Sequence, residues 1–210
     1  MNDRDVRAAV LNWLDEVHAG QNNTLIVQEM GIWSGSVRVD VAVINGELQG
    51  FELKSARDTL ERLPFQADLY SQVFDRVTLV VAEKHAEKAS RIVPEWWGLS
   101  IATNSGGTPV MLSLGREAVR NPDLKPIQIA RLLWRPEALA LLDRHGLSKG
   151  FRSKPGDILA GRLAAELPLD ILRDEVRAVL KARSGWLRKV VADDRGMPVE
   201  RDADPGFAVS

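Results

Sequence analysis

The chain has 210 residues and a mass of 23.2 kDa, enough for one well-buried domain of about 120 residues and a smaller unit, and its net charge of −1 excludes a strong overall attraction to nucleic acid. It contains no cysteine, which excludes disulfides, thiolate metal sites and thiol nucleophiles. Because no run of about 18 apolar residues occurs and the first residues are charged, the sequence predicts a cytoplasmic protein that makes no membrane contact.

Apolar residues recur with helical and strand periods up to about residue 115 and predict an α/β domain over residues 1–120. A first helix is predicted at 3–18 and a third at 83–92. Between them, Asp58 and Glu61 form a capping box that should open the second helix, which Pro64 should kink or restart. Strands are predicted at 24–30, 37–44, 48–54, 76–82, 99–103 and 109–114.

Two of these strands, 37–44 and 48–54, form a hairpin with charges where a buried strand should have none. The first strand is apolar on both faces except at Asp40, which shares a face with Ala42 and Ile44. An unpaired carboxylate there would be costly, so Asp40 requires a partner. On the second strand, Glu52 and Lys54 project from one face. The hairpin therefore carries three charged side chains near its middle.

The length of the hairpin loop decides whether these charges meet. A two-residue loop would put Asp40 and Glu52 on opposite sides of the sheet, whereas a three-residue loop puts them on the same side. The common three-residue form is a type I turn followed by a left-handed glycine, and residues 44–46 supply that glycine. We therefore predict an odd-numbered loop, with Gly46 at positive φ and Asp40 facing Gly50.

Two carboxylates and a lysine beside a glycine form a hard-oxygen environment that suits Mg²⁺, which takes few carboxylates and keeps several waters. A buried structural salt bridge from Lys54 to Glu52 or Asp40 accounts for the same residues. In the absence of metal, one of the two acids should have a raised pKa, because both are crowded on a largely apolar face and Lys54 offsets only part of the repulsion.

The hairpin resembles the signature of the PD-(D/E)XK nuclease superfamily, which has the restriction-endonuclease-like fold. That signature is an acidic residue on one core strand and (D/E)-x-K on the next, and Asp40 and residues 52–54 (ELK) look like its members here. The Pro-Asp dipeptide of the family name is absent, since Val39 precedes Asp40. Residues 66–70 (QADLY) match the QxxxY motif of RecB-like members. The resemblance covers about residues 1–115, and the run from GFELK to VTLVV is typical of a bacterial branch of the superfamily.

The resemblance implies a mixed β-sheet flanked by helices and a Mg²⁺- or Mn²⁺-dependent nuclease. It implies that Asp40, Glu52 and the Leu53 carbonyl hold the metal. Lys54 would then orient or deprotonate the attacking water.

Further residues join this implied site. Gln66 would approach the metal and Tyr70 the substrate backbone, whereas an amphipathic pair at a core edge is the structural alternative for both. Glu29, at the end of the preceding strand, is either a third metal-binding acid or an ion-pair partner of Arg38. Arg57 is the expected phosphate contact beside the site.

From residue 125 the pattern is wholly helical and predicts an accessory domain over 125–184, with helices at 127–134, 136–145, 156–166 and 169–183. The segment from LLDRHGL to RSKPGDILAGRL is similar to a SAP-type helix–loop–helix DNA-binding motif, in which Lys149, Arg152 and Lys154 would meet phosphates. A structural helical bundle with a solvated loop is the alternative. Residues 185–210 are predicted to be a loosely ordered tail.

The sequence thus predicts a metal-dependent phosphodiesterase that acts on nucleic acid, with DNA as the expected substrate and a homodimer or larger complex as a possible assembly. A module that keeps the nuclease fold and binds nucleic acid or protein without catalysis is the alternative. The intact set of Asp40, Glu52 and Lys54 favours the enzyme over this alternative.

Overall fold

The computed structural model describes residues 1–32, 37–104 and 109–184, together with the backbone of 189–192 and 198–199. Its first half contains α1 (Asp3–Val17), β1 (Leu25–Ile32), β2 (Val37–Ile44), β3 (Leu48–Lys54), α2 (Leu63–Tyr70), β4 (Arg76–Ala82), α3 (Glu83–Ser90), β5 (Gly98–Thr103) and β6 (Met111–Arg116). Its second half contains α4 (Pro126–Ala130), α5 (Arg135–Arg144), α6 (Gly156–Glu166), α7 (Leu169–Ala182), β7 (Lys189–Ala192) and β8 (Pro198–Val199).

Within the described residues, the strands form one mixed sheet in the order β6-β5-β4-β3-β2-β1-β7-β8. Strands β1, β2 and β3 are antiparallel, β3, β4 and β5 are parallel, and β6 is antiparallel to β5. Helices cover both faces of this sheet, so the predicted α/β class with a mixed, helix-flanked sheet is confirmed. The two strands β7 and β8 fall within the predicted loose tail and extend the sheet beyond β1, while the rest of that tail lies outside the described residues.

Each face of the sheet has its own hydrophobic cluster. On one face, α1 packs Val6, Val10 and Leu14 against apolar residues of β2, β3 and β4. On the other face, α2 and the helices α4 to α7 share a single cluster with the strands, to which α5 contributes Leu141 and α7 contributes Leu180. The helical segment that follows residue 125 is therefore packed into the same core as the sheet.

A buried ion cluster fixes α7 against the sheet. Asp75, just before β4, is 2% exposed and pairs with Arg173 and Arg177 of α7. Its Oδ2 also accepts a hydrogen bond from the Leu48 backbone N–H at 2.7 Å. Because buried charges are tolerated only when paired, this cluster depends on all three charged groups.

The hairpin loop has three residues, as the parity argument predicts, but they are Asn45, Gly46 and Glu47, because Ile44 pairs with Leu48. The prediction of Gly46 at positive φ is wrong. The Asn45 side-chain oxygen accepts a hydrogen bond from the Glu47 N–H at 2.9 Å, and this Asx-type turn closes the loop without a left-handed residue.

The shifted loop changes the register of the hairpin. Gly50 faces Ala42 and not Asp40, so the predicted Asp40–Gly50 pairing is wrong. The same register brings Asp40 opposite Glu52, one step beyond the last pair of the ladder, Val41 and Phe51. A Cβ at Gly50 would approach the Phe74 ring to 3.1 Å, so the glycine makes room for that ring.

The predicted face alternation of β2 also breaks at Asp40. Val39 packs in the same cluster as Ala42, whereas Val41 packs in the opposite cluster with α1. The neighbouring strand slips at the same level, where Glu29 has a φ of 54° in the left-handed region that non-glycine residues rarely adopt. The two strands thus switch faces together, and their acids lie at the switch.

Two helix boundaries differ from the predictions. Asp58 does not cap α2, because its Oδ2 accepts a hydrogen bond from the Ser55 N–H at 2.7 Å, and the helix begins only at Leu63 with Pro64 in its first turn. The helix predicted at 127–134 ends at Ala130. None of the described helices is long and apolar enough to cross a bilayer.

Replacement of Asp75 by Asn should lower the free energy of unfolding by roughly 3–5 kcal/mol, because two buried guanidinium groups lose their counter-charge. Urea denaturation at pH 7 measures this loss. The control Glu87→Gln breaks an exposed ion pair with Arg91 and should cost less than about 1 kcal/mol. An equally small loss in both variants would contradict the assigned role of Asp75.

Candidate active site

A cleft of about 540 Å³ opens where β1, β2 and β3 meet the start of α2. Five of the residues predicted for the metal site and catalysis line it together with the predicted third acid; these are Asp40, Glu52, Leu53, Lys54, Gln66 and Glu29. The remaining lining residues are Asp3, Val37, Arg38, Asp58, Arg62 and Phe65. The fold thus brings together residues that are up to 37 positions apart in the sequence, from Glu29 to Gln66.

Glu52 is the most enclosed member of the cleft, with 2% of its side chain exposed. Its Oε1 accepts hydrogen bonds from Lys54 Nζ at 2.5 Å and from Gln66 Nε2 at 2.6 Å. Its Oε2 lies 2.8 Å from the Tyr70 hydroxyl. Lys54 Nζ also donates to Gln66 Oε1 at 3.0 Å, which closes a ring of three side chains. Both parts of the network, the i,i+2 strand pair and the i,i+4 helix pair, follow from the periods of strand and helix.

Tyr70 lies beneath the cleft and joins α2 to two strands. Its hydroxyl is within 2.8 Å of both Glu52 Oε2 and the Arg38 carbonyl oxygen. Its ring stacks on the buried Trp97, with the planes 8° apart, and meets Phe74 edge-on. Burial, reinforced by the nearby Glu52 charge, raises the pKa of Tyr70, so it stays a neutral hydrogen-bond donor. The structure therefore places Tyr70 as a support of Glu52.

Asp40 occupies the gap where β2 and β3 part. Its Oδ2 accepts a hydrogen bond from the Leu53 backbone N–H at 2.8 Å, and 20% of its side chain is exposed. Burial and the charge of Glu52 raise the pKa of Asp40 to about 7, against the opposing effects of the Leu53 N–H, Arg7 and Lys54. This agrees with the prediction that one of two crowded acids has a raised pKa.

Arg7 of α1 contacts the acids of the cleft and is a residue that sequence reasoning missed. Its Nη2 lies 2.8 Å from Glu29 Oε1 and 2.9 Å from Asp40 Oδ1, and its Nε lies 3.4 Å from Asp3 Oδ2. Glu29 therefore pairs with Arg7, and the alternative partner Arg38 points its main-chain oxygen at Tyr70. The only sequence signal for Arg7 is its place one helical turn after Asp3 on the sheet-covering helix.

The donor set of the cleft fits a divalent cation that prefers oxygen ligands. The carboxylates of Asp40 and Glu52 and the backbone of Leu53 line the same space, and the raised pKa of Asp40 reflects negative charge that a cation would relieve. In the part of the chain that the structure describes, no three His, Asp or Glu side chains form a metal-binding group by themselves. A bound Mg²⁺ would therefore need the Leu53 carbonyl and waters as well, which is its usual preference.

The other predicted nucleic-acid contacts lie outside the cleft lining. Arg57 is exposed in the turn before Asp58. Lys149, Arg152 and Lys154 are exposed on the connection between α5 and α6, where Arg152 pairs with Asp143 at 2.6 Å. Their contact with phosphate stays a prediction.

Three exposed side chains on the cleft itself were not predicted as ligand contacts. Arg38 precedes Asp40 by two residues on β2, and Arg62 and Phe65 come directly before Gln66 at the start of α2. Phe65 is 57% exposed, which is unusual for an aromatic ring in a described element. Their position next to the signature residues was the available signal.

Comparison with known proteins relates nearly the whole chain to one phage protein. A family model described as bacteriophage P4 protein cII matches residues 1–191. Protein cII of Enterobacteria phage P4 is 28% identical over 183 residues, which cover 87% of this chain and 68% of the phage protein. A solved structure of a protein of unknown function from Silicibacter pomeroyi is 20% identical with a TM-score of 0.39, over 73% of this chain and 94% of that one.

The raised pKa of Asp40 predicts a specific pH dependence of stability. An acid with a higher pKa in the folded than in the unfolded chain binds its proton more tightly when folded, so the free energy of unfolding falls as pH rises from about 4 to about 7. Asp40→Asn removes this fall. In the absence of metal, we expect the variant to match the wild type near pH 5 and to exceed it by roughly 1–3 kcal/mol at pH 8, as the lost pairing with Arg7 offsets part of the gain.

Urea denaturation at the two pH values measures this difference. Asp68→Asn, which changes an exposed carboxylate of α2, is the control and should show no such pH-dependent gain. An Asp40→Asn variant that is equally destabilised at both pH values would contradict the assigned charge crowding.

Proposed function

The chain belongs to the bacteriophage P4 protein cII family, and we propose that it is a divalent-metal-dependent nuclease of the PD-(D/E)XK type, with DNA as its expected substrate. One observation carries this proposal: Asp40, Glu52 and Lys54 converge on a single cleft although each could have faced elsewhere. Chance matches to short motifs have no reason to converge in this way.

The arrangement of the sheet supports the same proposal. Three antiparallel strands, β1 to β3, are followed by α2 and then by β4, which runs parallel to β3. This is the strand and helix order that the resemblance to restriction-endonuclease-like enzymes implies. In addition, α2 carries the QxxxY residues Gln66 and Tyr70 directly to Glu52.

Each residue of the cleft has a role in the proposed reaction. When bound, Mg²⁺ or Mn²⁺ would supply a water of lowered pKa and neutralise charge on the scissile phosphate. Asp40, Glu52 and the Leu53 carbonyl are the residues that would hold it. Gln66 and Tyr70 hold the Glu52 carboxylate in one orientation through hydrogen bonds of 2.6 and 2.8 Å.

Lys54 provides the fixed cation of the site. Its ammonium group is held at 2.5 Å by Glu52 Oε1 and at 3.0 Å by Gln66 Oε1, with 6% of the side chain exposed. A preorganised charge in a partly dehydrated cleft stabilises negative charge that develops on a phosphate without reorganisation at the moment of reaction. This supports a catalytic role for Lys54 over a role in general substrate affinity.

The rim of the cleft supports a nucleic-acid substrate. Arg38 and Arg62 are exposed there and offer forked donors that match phosphate oxygens. Phe65 offers an exposed ring face on which a base can stack. Phosphate donors and a stacking surface on one rim are the two elements that a nucleotide requires.

A second candidate is a nucleic-acid-binding protein that keeps this fold without cleavage. The observation in its favour is the closed network around Glu52, in which both carboxylate oxygens already have partners from the protein. A fully satisfied network of this kind also serves a purely structural purpose. Cleavage assays with the variants below separate the two candidates.

Replacement of Lys54 by Ala should remove nearly all cleavage while nucleic-acid affinity changes less than about twofold, because one lysine contributes little to a counterion-release footprint. Cleavage is measured with Mg²⁺ on end-labelled single- and double-stranded DNA, and affinity with Ca²⁺ by fluorescence anisotropy. Lys84→Ala, an exposed lysine on α3, is the matched control. Retained cleavage in the Lys54 variant on a substrate that the wild type cuts would overturn the mechanism.

Two sets of basic residues distinguish cleft binding from loop binding. The triple variant of Lys149, Arg152 and Lys154 to Ala should weaken affinity and flatten its salt dependence by up to about 0.9 per contacted phosphate on duplex DNA, with turnover at saturation near normal. The double variant of Arg38 and Arg62 to Ala should weaken affinity and turnover together, because these arginines lie on the cleft. If the triple variant binds as the wild type does, the SAP-like assignment falls and the loop is structural.

A further inference from the structure

The environment of Arg7 has a meaning beyond the attachment of α1 to the sheet. Its guanidinium group lies among Asp3, Glu29 and Asp40, and only 16% of its side chain is exposed. It also donates from Nη1 to the main-chain oxygen of Asp40 at 2.9 Å. Three carboxylates around one guanidinium leave two negative charges locally uncompensated, before Glu52 is considered.

The contact with Asp40 is made at a particular oxygen. Leu53 N–H occupies Oδ2, and Arg7 occupies Oδ1 at 2.9 Å. Glu29 meets Arg7 from a backbone in the left-handed region, a conformation that costs on the order of 1–3 kcal/mol unless the surroundings stabilise it. The strained acid and the best-exposed oxygen-bearing acid of the cleft are therefore both turned toward the same cation.

We propose that Arg7 is a built-in competitor of the divalent cation, which holds Asp40 and Glu29 in the metal-free protein and yields Asp40 when metal binds. The inference rests on the proposed function, because it takes Asp40 as a metal ligand. Arg7 then sets the metal concentration at which the site fills. It is a positioning residue, since it acts through Asp40 and touches no reacting group.

The competition follows from charge and desolvation. A guanidinium in this place neutralises acids that would otherwise repel each other, so the metal-free protein is stable with the cleft closed by its own cation. A divalent cation must replace part of this pairing, and its net affinity is lowered by the free energy of the contacts it displaces. Removal of the guanidinium should therefore destabilise the metal-free protein and tighten metal binding.

The test is calorimetric titration of Mg²⁺ and Mn²⁺ alone into the full chain. Arg7→Gln should bind either metal about tenfold more tightly than the wild type, equivalent to about 1.4 kcal/mol. Arg4→Gln is the matched control, because it removes the same charge from an exposed position of the same helix and should bind as the wild type does. An unchanged or weaker affinity in Arg7→Gln would show that Arg7 only anchors α1.

A second measurement uses the wild-type protein and does not depend on the folding of a variant. The side-chain ¹⁵Nε signal of Arg7, assigned with Arg7→Lys, should shift on addition of Mg²⁺ while that of Arg4 stays in place. Metal binding that Asp40→Asn abolishes, without a shift of the Arg7 signal, overturns this inference and leaves the proposed metal site intact. No binding of either metal to the wild type or to Arg7→Gln overturns both.

Discussion

The buried carboxylate of Glu52 is the group on which the rest of the site depends. A charge that is 2% exposed is tolerated only when it is paired and fully hydrogen-bonded, and Lys54, Gln66 and Tyr70 meet that requirement. Two of these partners come from α2, so the position of that helix on the sheet is coupled to the charge. The ring of Tyr70 continues the coupling into the core through Trp97. Geometry near the cleft is therefore fixed by packing well below it.

The two acids of the site are held in different ways. Glu52 is neutralised by a lysine from its own strand, whereas Asp40 is contacted by Arg7 from the opposite face of the sheet. Asp40 keeps a pKa of about 7 because burial and Glu52 act on it more strongly than the cations do. One acid is thus locked in place and the other is poised to change its partner. This difference assigns Asp40, more than Glu52, to the exchange of cations.

Much of the fold and the signature residues of the site could be predicted from the sequence. Strand parity required an odd hairpin loop, and the loop has three residues. What failed were features set by side chains outside the local pattern. The Asn45 side chain closed the turn in place of a left-handed glycine, and Phe74 claimed the space beside Gly50. The break in alternation at Asp40 and the approach of Arg7 arise from tertiary packing, which a period of two or 3.6 residues does not encode.

The central claim is that Asp40, Glu52 and the Leu53 carbonyl form one metal site, and anomalous diffraction from crystals grown with Mn²⁺ tests it most directly. The account predicts an anomalous peak within coordination distance of both carboxylates, accompanied by a smaller contact between Arg7 and Asp40 than in metal-free crystals. A peak that lies only elsewhere on the molecule, or none at saturating Mn²⁺ with the Glu52–Lys54 pair unchanged, would contradict the account.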